Sequence, residues 1–336
     1  MTALTKAPLY VLDPRAVVGR RGGRVVVTVE GRVVASAPIM RLSEVVLLGK
    51  PGITIPALHL LLGHDVPVVL LRSDGRALGR VEPPGSPHVV LRQVQTARCG
   101  DPVARLQVGR ACVAGKLRNQ RALLRARARR SRDAHELDAL AQRVEQQERA
   151  AVHAESIEVL LGVEGAGAGA YFRGIRLLAG GHGFTRRDRS APDVVNALVN
   201  YTSALLREVV IGAIVAAGLD PHASFLHQPT RGRPTLAFDL MEEWRPVLVE
   251  ATVLGVLGLR TVGPADITRT PAGPRLTSNA RAAAIARFRF RLARPARGRP
   301  QPAGEPTYGE CVRRQARLLR RWVLGDAEEY EAFRWR

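Results

Sequence analysis

Lysine is nearly missing from this chain. Only Lys6, Lys50 and Lys116 occur, yet basic side chains outnumber acidic ones by a formal +21. A GC-rich coding bias explains arginine in place of lysine, but not the surplus itself. A surplus of that size favours a polyanionic partner, nucleic acid first and a membrane surface second. Aromatic residues are scarce too, at 4%. The core must therefore be built from Val, Leu, Ile and Ala. Cysteine is limited to Cys99, Cys112 and Cys311, an odd number with no CxxC pair. That argues against a disulfide framework or a zinc ribbon and for a reducing compartment. The apolar run Val209 to Leu219 is too short to span a bilayer, and the opening MTALTKAPLYVLDPR lacks the apolar core of a signal peptide. A soluble, cytoplasmic protein without a membrane partner is expected. There is no P-loop, because Gly115-Lys116 is followed by Leu117 without the required glycine spacing, and no G-x-S-x-G elbow.

What is present divides the 336 residues in two. Residues 9–92 are β-rich. The Val-rich runs Val25 to Val29 and Val33 to Ala37 flank Glu30-Gly31-Arg32, a hairpin signature. Val45 to Leu48, Val66 to Leu71 and Ala77 to Val81 read as further strands. Ile55 to Gly63 reads as one short helix with Pro56 in its first turn. Pro83, Pro84, Gly85 and Pro87 mark a linker, and beyond it the pattern turns helical. The expected fold class is α+β: a β-rich domain at 1–84, resembling a twisted sheet or β-sandwich, a linker at 85–97, an all-helical domain at 98–325 and a tail at 326–336. Helices are predicted over 193–217, 243–260, 278–293 and 309–324, and a mobile loop over Arg294 to Thr307.

Residues 98–132 carry eleven basic side chains against Asp101 alone. Arg118, Arg121, Arg125, Arg129 and Arg132 recur at helical spacing and form one stripe. With no local acid to neutralise it, the stripe is expected to face phosphates at least as readily as solvent.

The chemistry concentrates in Gly218 to Pro246, which holds His227, Asp239, Glu242 and Glu243. Asp239 and Glu242 stand three apart and share a helix face. Asp239 at a helix start could simply complement the dipole. Yet Phe238, Leu240 and Met241 around these acids imply a half-buried face, and buried carboxylates demand a cation. Arg245 is one candidate cation, a divalent metal another. Mixed O/N ligation suits Mg²⁺ or Mn²⁺. A further ligand is needed, and Glu164, a lone acid after the apolar run Ile157 to Leu161, is the candidate. Gly165, Gly167 and Gly169 would let a neighbouring helix approach. Gly165 to Ala170 also satisfies G-x-G-x-x-A, with Asp188 downstream, but no β-strand precedes it as a dinucleotide fingerprint requires.

Four blocks in order, EGAGAGAYF at 164–172, NALVNY at 196–201, GLDPHASFLH at 218–227 and LAFDLMEEWRP at 236–246, closely resemble the CRISPR-associated spacer integrases of the adaptation module, the Cas-one family. The stretch 47–81 resembles that family's β-domain and 308–325 its last helices. The chain departs at Ala223-Ser224, Thr202-Ser203 and Pro192, positions that touch packing rather than ligands. The resemblance implies a dimerising β-domain and a helical catalytic domain. It implies a divalent metal, Mg²⁺ or Mn²⁺, held by Glu164, His227 and Glu242, with Asp239 in reserve. It implies an endonuclease and integrase that inserts spacer DNA into a CRISPR array by phosphoryl transfer. The implied partners are double-stranded DNA, a second copy of the chain, and a small Cas-two dimer bridging two such dimers. Arg118, Arg121, Arg125 and Arg245 are expected to bind DNA. The alternative is a non-catalytic basic DNA-binding protein whose acids are structural.

Overall fold

The computed structural model describes residues 6–72, 77–83, 88–270, 273–299 and 306–335. The chain separates into two compact units, Met1–Pro87 and His88–Arg336.

The first unit is strand-rich. Strands β1 (Ala7–Val11), β5 (Leu42–Leu48), β7 (Val68–Leu71) and β8 (Ala77–Val81) form one sheet in that order; β2 (Ala16–Arg21), β3 (Arg24–Val29), β4 (Arg32–Pro38) and β6 (Gly52–Ile53) form another, ordered β4-β3-β2-β6. The predicted hairpin is β3–β4. Its turn residues Glu30 and Gly31 have φ of 50° and 79°, the left-handed pair that a tight two-residue connection needs. Helix α1 (Ile55–Leu62) starts where Thr54 accepts a hydrogen bond from the Ala57 N–H, with Pro56 in the first turn. Val18, Val25 and Val27 of one sheet, Val45, Leu47 and Val68 of the other, and Ala57 and Leu61 of α1 close a single core. Aliphatic β-branched residues supply what aromatics do not. The turn at Ser73-Asp74-Gly75 lies outside the described residues.

The second unit is helical: α2 (Val89–Gly100), α3 (Pro102–Ala128), α4 (Ala134–Val152), α5 (Ile157–Ala179), α6 (Val194–Ala216), α7 (Thr235–Met241), a π-helical turn at Arg245–Glu250, α8 (Ala251–Gly258), α9 (Ser278–Leu292) and α10 (Tyr308–Leu324). Two short antiparallel pairs join them: the hairpin of β9 (Ile267–Thr270) with β10 (Gly273–Leu276), and β11 (Gly298–Arg299) with β12 (Arg334–Trp335), strands that α10 separates in the chain. Most helices start on a side-chain cap: Asp101, Ser156, Asp193, Thr277 and Thr307 open α3, α5, α6, α9 and α10.

Three expectations are corrected, and the tail, for which the sequence carried none, is placed. Residues 89–97, taken as linker, belong to α2, because Gln95 is buried and bonded to Asp220 and Ala223 of the later loop at 2.8–3.0 Å. The segment 243–260 is not one helix. Pro246 carries no N–H, and the ladder shifts to a π turn before α8 resumes. The loop Arg294 to Thr307 contains the ordered strand β11 and a bridge between Pro295 and Thr307; residues 300–305 lie outside the described set. The tail is built into the fold, with Tyr330, Ala332 and Phe333 buried. A Cβ on Gly298 would lie 2.3 Å from the Phe333 ring, so glycine is what lets β12 dock.

Helix α6 is long and apolar enough to cross a membrane by length and composition, but 61% of its apolar window is buried inside the unit, as befits a core helix. Helices α3 and α5 pack closely. A Cβ on Gly167 would fall 2.2 Å from Leu117, and one on Gly174 2.5 Å from Leu124. Of the three expected small-residue contacts only Gly167 is one; Gly165 and Gly169 face open space. The G-x-G-x-x-A run thus lies inside a helix with no strand before it, and the dinucleotide reading falls.

Candidate active site

Three elements bring the acids together. Glu164 lies in the second turn of α5, Glu242 ends α7, and Lys116 sits mid-way along α3. The Lys116 ammonium touches both Glu164 Oε1 and Glu242 Oε2. Lys116 and Glu242 are 9% and 8% exposed at the side chain, and Glu164 25%, so the carboxylates converge on one buried cation. Burial works against the charged lysine, but the two carboxylates raise its pKa nonetheless. Burial also pushes the Glu242 carboxyl up; the Lys116 and Arg245 charges outweigh it and hold it at about 2. Arg245, half-buried, stands 3.9 Å from Glu242 Oε1.

Asp239 is fully buried near the end of α7, not at a helix start, so it complements no dipole there. It accepts the backbone N–H groups of Phe225, Leu226 and His227 at 2.7–3.0 Å. Its Oδ1 also lies 2.7 Å from His227 Nδ1. One carboxylate therefore folds the loop before α7 and aims the imidazole. Phe238 meets the His227 ring edge-on, and the Ser224 hydroxyl donates to the His227 carbonyl at 2.7 Å. Since a carboxylate only accepts, Nδ1 is the donor and Nε2 carries the free lone pair. Burial disfavours imidazolium, but the bond and charge of Asp239, with Glu242 and Glu164, raise the His227 pKa.

Glu243 points away from this cluster. It accepts hydrogen bonds from Tyr330, Gln315 and the Phe333 N–H, and burial pushes its carboxyl up to about 7 against them. It clasps the tail, helped by Asn119, which bonds Phe333 and Trp335.

The structure thus gathers Glu164 and Glu242 at one point, with His227 close enough to feel both charges, and Asp239 behind the imidazole. Among the described residues no three His, Cys, Asp or Glu side chains stand together as a ready metal cage; the lysine ammonium lies between the two carboxylates. Lys116 escaped the sequence reading. Its signal was there: it is the one lysine in an arginine-rich helix, flanked by the buried Val113 and Leu117.

The arginine stripe is corrected more sharply. Helix α4 folds back on α3 and sets Glu145 and Glu148 against it. Arg121 meets Glu145 at 2.6 Å and Glu148 at 3.3 Å, Arg125 meets Glu145 at 2.8 Å, and Arg118 lies 3.7 Å from Glu148. The two acids that meet Arg118, Arg121 and Arg125 come from the mixed-charge segment that looked like an ordinary exposed helix; Arg129 and Arg132 make no ion pair among the described residues.

The profile of the family described as CRISPR associated protein Cas1 matches residues 9–289. The chain is 37% identical over 337 residues to a CRISPR-associated exonuclease Cas4/endonuclease Cas1 fusion of Geobacter sulfurreducens, with 97% of this chain and 60% of that protein covered. A similar fusion in Rhodospirillum rubrum is covered to 57%, so the chain spans under two thirds of these relatives. It is 34% identical to the CRISPR-associated endonuclease Cas1 1 of Thermus thermophilus, covering 98% of this chain and 99% of that one. Among solved structures, a casposase bound to integration product superposes with a TM-score of 0.78 at 22% identity, over 97% of this chain and 92% of that one. A Cas1 protein from Thermotoga maritima gives 0.76 at 18%, over 97% and 99%. At such identities these two speak to the fold, an α+β arrangement like the one described.

Proposed function

Because the chain belongs to the Cas1 family, matched over residues 9–289, we propose that it is a divalent-metal-dependent DNA endonuclease and integrase that joins spacer DNA to a CRISPR array. The observation that carries this reading is the convergence of Glu164 and Glu242, from different helices, on one cationic point beside His227. Two carboxylates already drawn to a cation, plus an imidazole with a free Nε2, form a donor set that suits Mg²⁺ or Mn²⁺. Glu164, Glu242 and His227 would hold the ion; Asp239, the reserve ligand of the sequence, has both oxygens engaged behind the imidazole and supports His227 instead. When bound, such an ion supplies Lewis-acid charge at a scissile phosphate and its leaving oxygen.

The chain's own residues do the rest. Asp239 fixes the imidazole tautomer, as carboxylates behind metal-bound histidines do. Arg245 offsets carboxylate charge from within the fold. The 3′-hydroxyl of an incoming strand attacks in joining, and water attacks in cleavage. Direct transesterification needs no nucleotide, in keeping with the missing P-loop.

The partners follow from the family. They are double-stranded DNA, a second copy of the chain docked through residues 1–84, and a Cas2 dimer bridging two such dimers in the cytoplasm. Both the casposase with its integration product and a Cas6-RT-Cas1–Cas2 complex, at a TM-score of 0.79 and 20% identity, share this fold. A second reading rests on Lys116: with its ammonium neutralising both acids, the chain could bind DNA without acting on it. Glu164→Ala and Glu242→Ala separate the two. Loss of DNA-end joining in Mn²⁺ is expected of each; joining by either variant at the unaltered rate overturns the metal reading.

A further inference from the structure

A second group of arginines makes no ion pair among the described residues. Arg287 and Arg291 stand four residues apart on one face of α9, Arg294 follows two residues beyond the helix end, and Arg127 lies in the last turn of α3. Both helices pack on the π turn at Arg245–Glu250, where Arg291 donates to the Val247 carbonyl. Arg287 and Arg294 lie over the ring of exposed Phe290, at 5.3 and 5.6 Å from its centre. Arg291 lies 5.6 Å from the Tyr308 ring centre and 5.1 Å from that of Trp335. A Cβ on Gly255 would meet Arg287 Nε at 2.7 Å, so glycine makes room for that guanidinium.

Among the described residues none of Arg127, Arg130, Arg287, Arg291 and Arg294 makes an ion pair, unlike Arg118, Arg121 and Arg125, which α3 sets against the glutamates of α4. One buried nitrogen of Arg291 has no hydrogen-bond partner at all. Burial lowers the pKa of Arg127 and Arg291, and the neighbouring arginines lower it further, with Arg291 falling to about 10. Two helix C-termini offer some compensation through their dipoles. That term is about 1 kcal/mol for a favourable site and does not replace a counter-ion. Several half-buried guanidiniums pressed together define an anion site, and their forked donors match phosphate oxygens.

Position says which anion. Arg127 stands eleven residues beyond Lys116 on α3, three turns plus about 20°, so both lie on nearly the same face, roughly 16 Å apart along the axis. An extended polyanion can touch both points; a single small anion cannot. We propose that Arg127, Arg287 and Arg291, with Arg130 and Arg294 at the rim, bind a backbone phosphate of the same DNA whose reacting phosphate lies at Glu164 and Glu242. This rests on the DNA-joining reading of the site.

The test measures binding of a fluorescent random-sequence duplex across a salt series, in buffer with EDTA so that joining plays no part. Arg127→Gln with Arg287→Gln is expected to weaken binding about tenfold at fixed salt, equally for unrelated sequences, and to cut the slope of log K against log salt by 1 to 2. Arg130→Glu with Arg294→Glu, at exposed positions where substitution leaves the packing of the half-buried pair untouched, is expected to act in the same direction. Arg118→Gln with Arg125→Gln, already paired to α4, is expected to change the slope less. If the unaltered protein binds DNA and both cluster variants keep its affinity and slope, this proposal falls while the joining reading stands. If the unaltered protein binds no DNA even at low salt, both fall.

Discussion

Asp239 holds His227 from behind: its Oδ1 accepts the Nδ1–H at 2.7 Å while the same carboxylate takes three successive backbone N–H groups. Loop shape and imidazole direction therefore depend on one buried side chain. An asparagine there has one oxygen in place of two, and its NH₂ would face donors. Asp239→Asn is expected to cost about 3 kcal/mol, because buried donors lose a charged acceptor. Thermal denaturation measures that loss.

The same pair sets a pH dependence. The folded-state pKa of His227 lies above its unfolded value. Its imidazolium thus contributes stability below the unfolded pKa of ~6.5, and that contribution is lost as pH rises through the folded value. Metal ligation runs the other way, since Nε2 must be unprotonated. Mn²⁺ affinity is expected to fall steeply on acidification, starting above the pH at which a free histidine titrates. Titration calorimetry at stepped pH reads this directly. A Mn²⁺ affinity that is flat between pH 5.5 and 8 would remove His227 from the ligand set.

Lys116 gives the next prediction. Lys116→Met keeps the unbranched stem, one atom shorter, and removes its charge, leaving Glu164 and Glu242 with Arg245 as the nearby cation. In EDTA the variant is expected to lose 3 to 5 kcal/mol, the usual effect of stripping one partner from a buried ion pair. Millimolar Mn²⁺ is expected to raise its melting temperature more than that of the unaltered protein, because the ion takes over the vacated charge and binds the native state selectively. An equal rise in both proteins would mean that the ion does not bind between these carboxylates.

Much of this arrangement was legible in the chain, and the part that was not has a common cause. Strands β3 and β4, their Glu30-Gly31 turn and helix α1 follow from local periodicity and turn chemistry, which is what a sequence states openly. His227, Glu242 and Glu164 could be singled out because polar residues in apolar surroundings need a reason. Pairing across distance was hidden. Nothing near Arg121 announces that Glu145 will fold back to 2.6 Å, nor near Lys116 that acids from α5 and α7 will arrive. The tail was opaque for the same reason, since Phe333 is explained only by Glu243, Asn119 and Gly298.

Glu243 makes that clasp sensitive to pH. Its folded pKa of about 7 lies above the ordinary carboxyl value of 4.5. The folded state therefore binds the proton more tightly. Its stabilising effect is complete below pH ~4.5 and lost as pH rises through about 7. A shift of that size corresponds to roughly 3 kcal/mol. Glu243→Gln preserves the shape; its oxygen can accept from Gln315 and Phe333, and its amide can donate to Tyr330. Between pH 5 and 8 the variant is expected to lose less stability than the unaltered protein, keeping the His227 contribution and shedding the Glu243 one, as chemical denaturation at each pH would register. Identical pH curves would show that the Glu243 carboxyl does not change protonation in that range.

The last prediction concerns how closely two helices must approach to place Glu164. Gly167 follows Glu164 by three residues on α5, on the side facing α3, and a Cβ there would lie 2.2 Å from the Leu117 methyl. Leu117 is fully buried and adjoins Lys116, so its methyl can yield only by displacing packed neighbours. Gly167→Ala is expected to push α5 away from α3, costing about 1 to 3 kcal/mol by overpacking and partly masked by the ~1 kcal/mol that alanine gains over glycine within a helix. Displacing α5 also draws Glu164 away from Glu242, so Mn²⁺ affinity is expected to fall alongside stability. Gly165→Ala is the matched control: its Cβ would meet open space. It is expected to gain up to ~1 kcal/mol from helix propensity and to leave Mn²⁺ affinity alone. Comparing both variants by thermal melting and calorimetry isolates the helix contact from glycine's intrinsic cost. Equal Mn²⁺ affinity in the two would mean that the α3–α5 spacing does not govern where Glu164 stands.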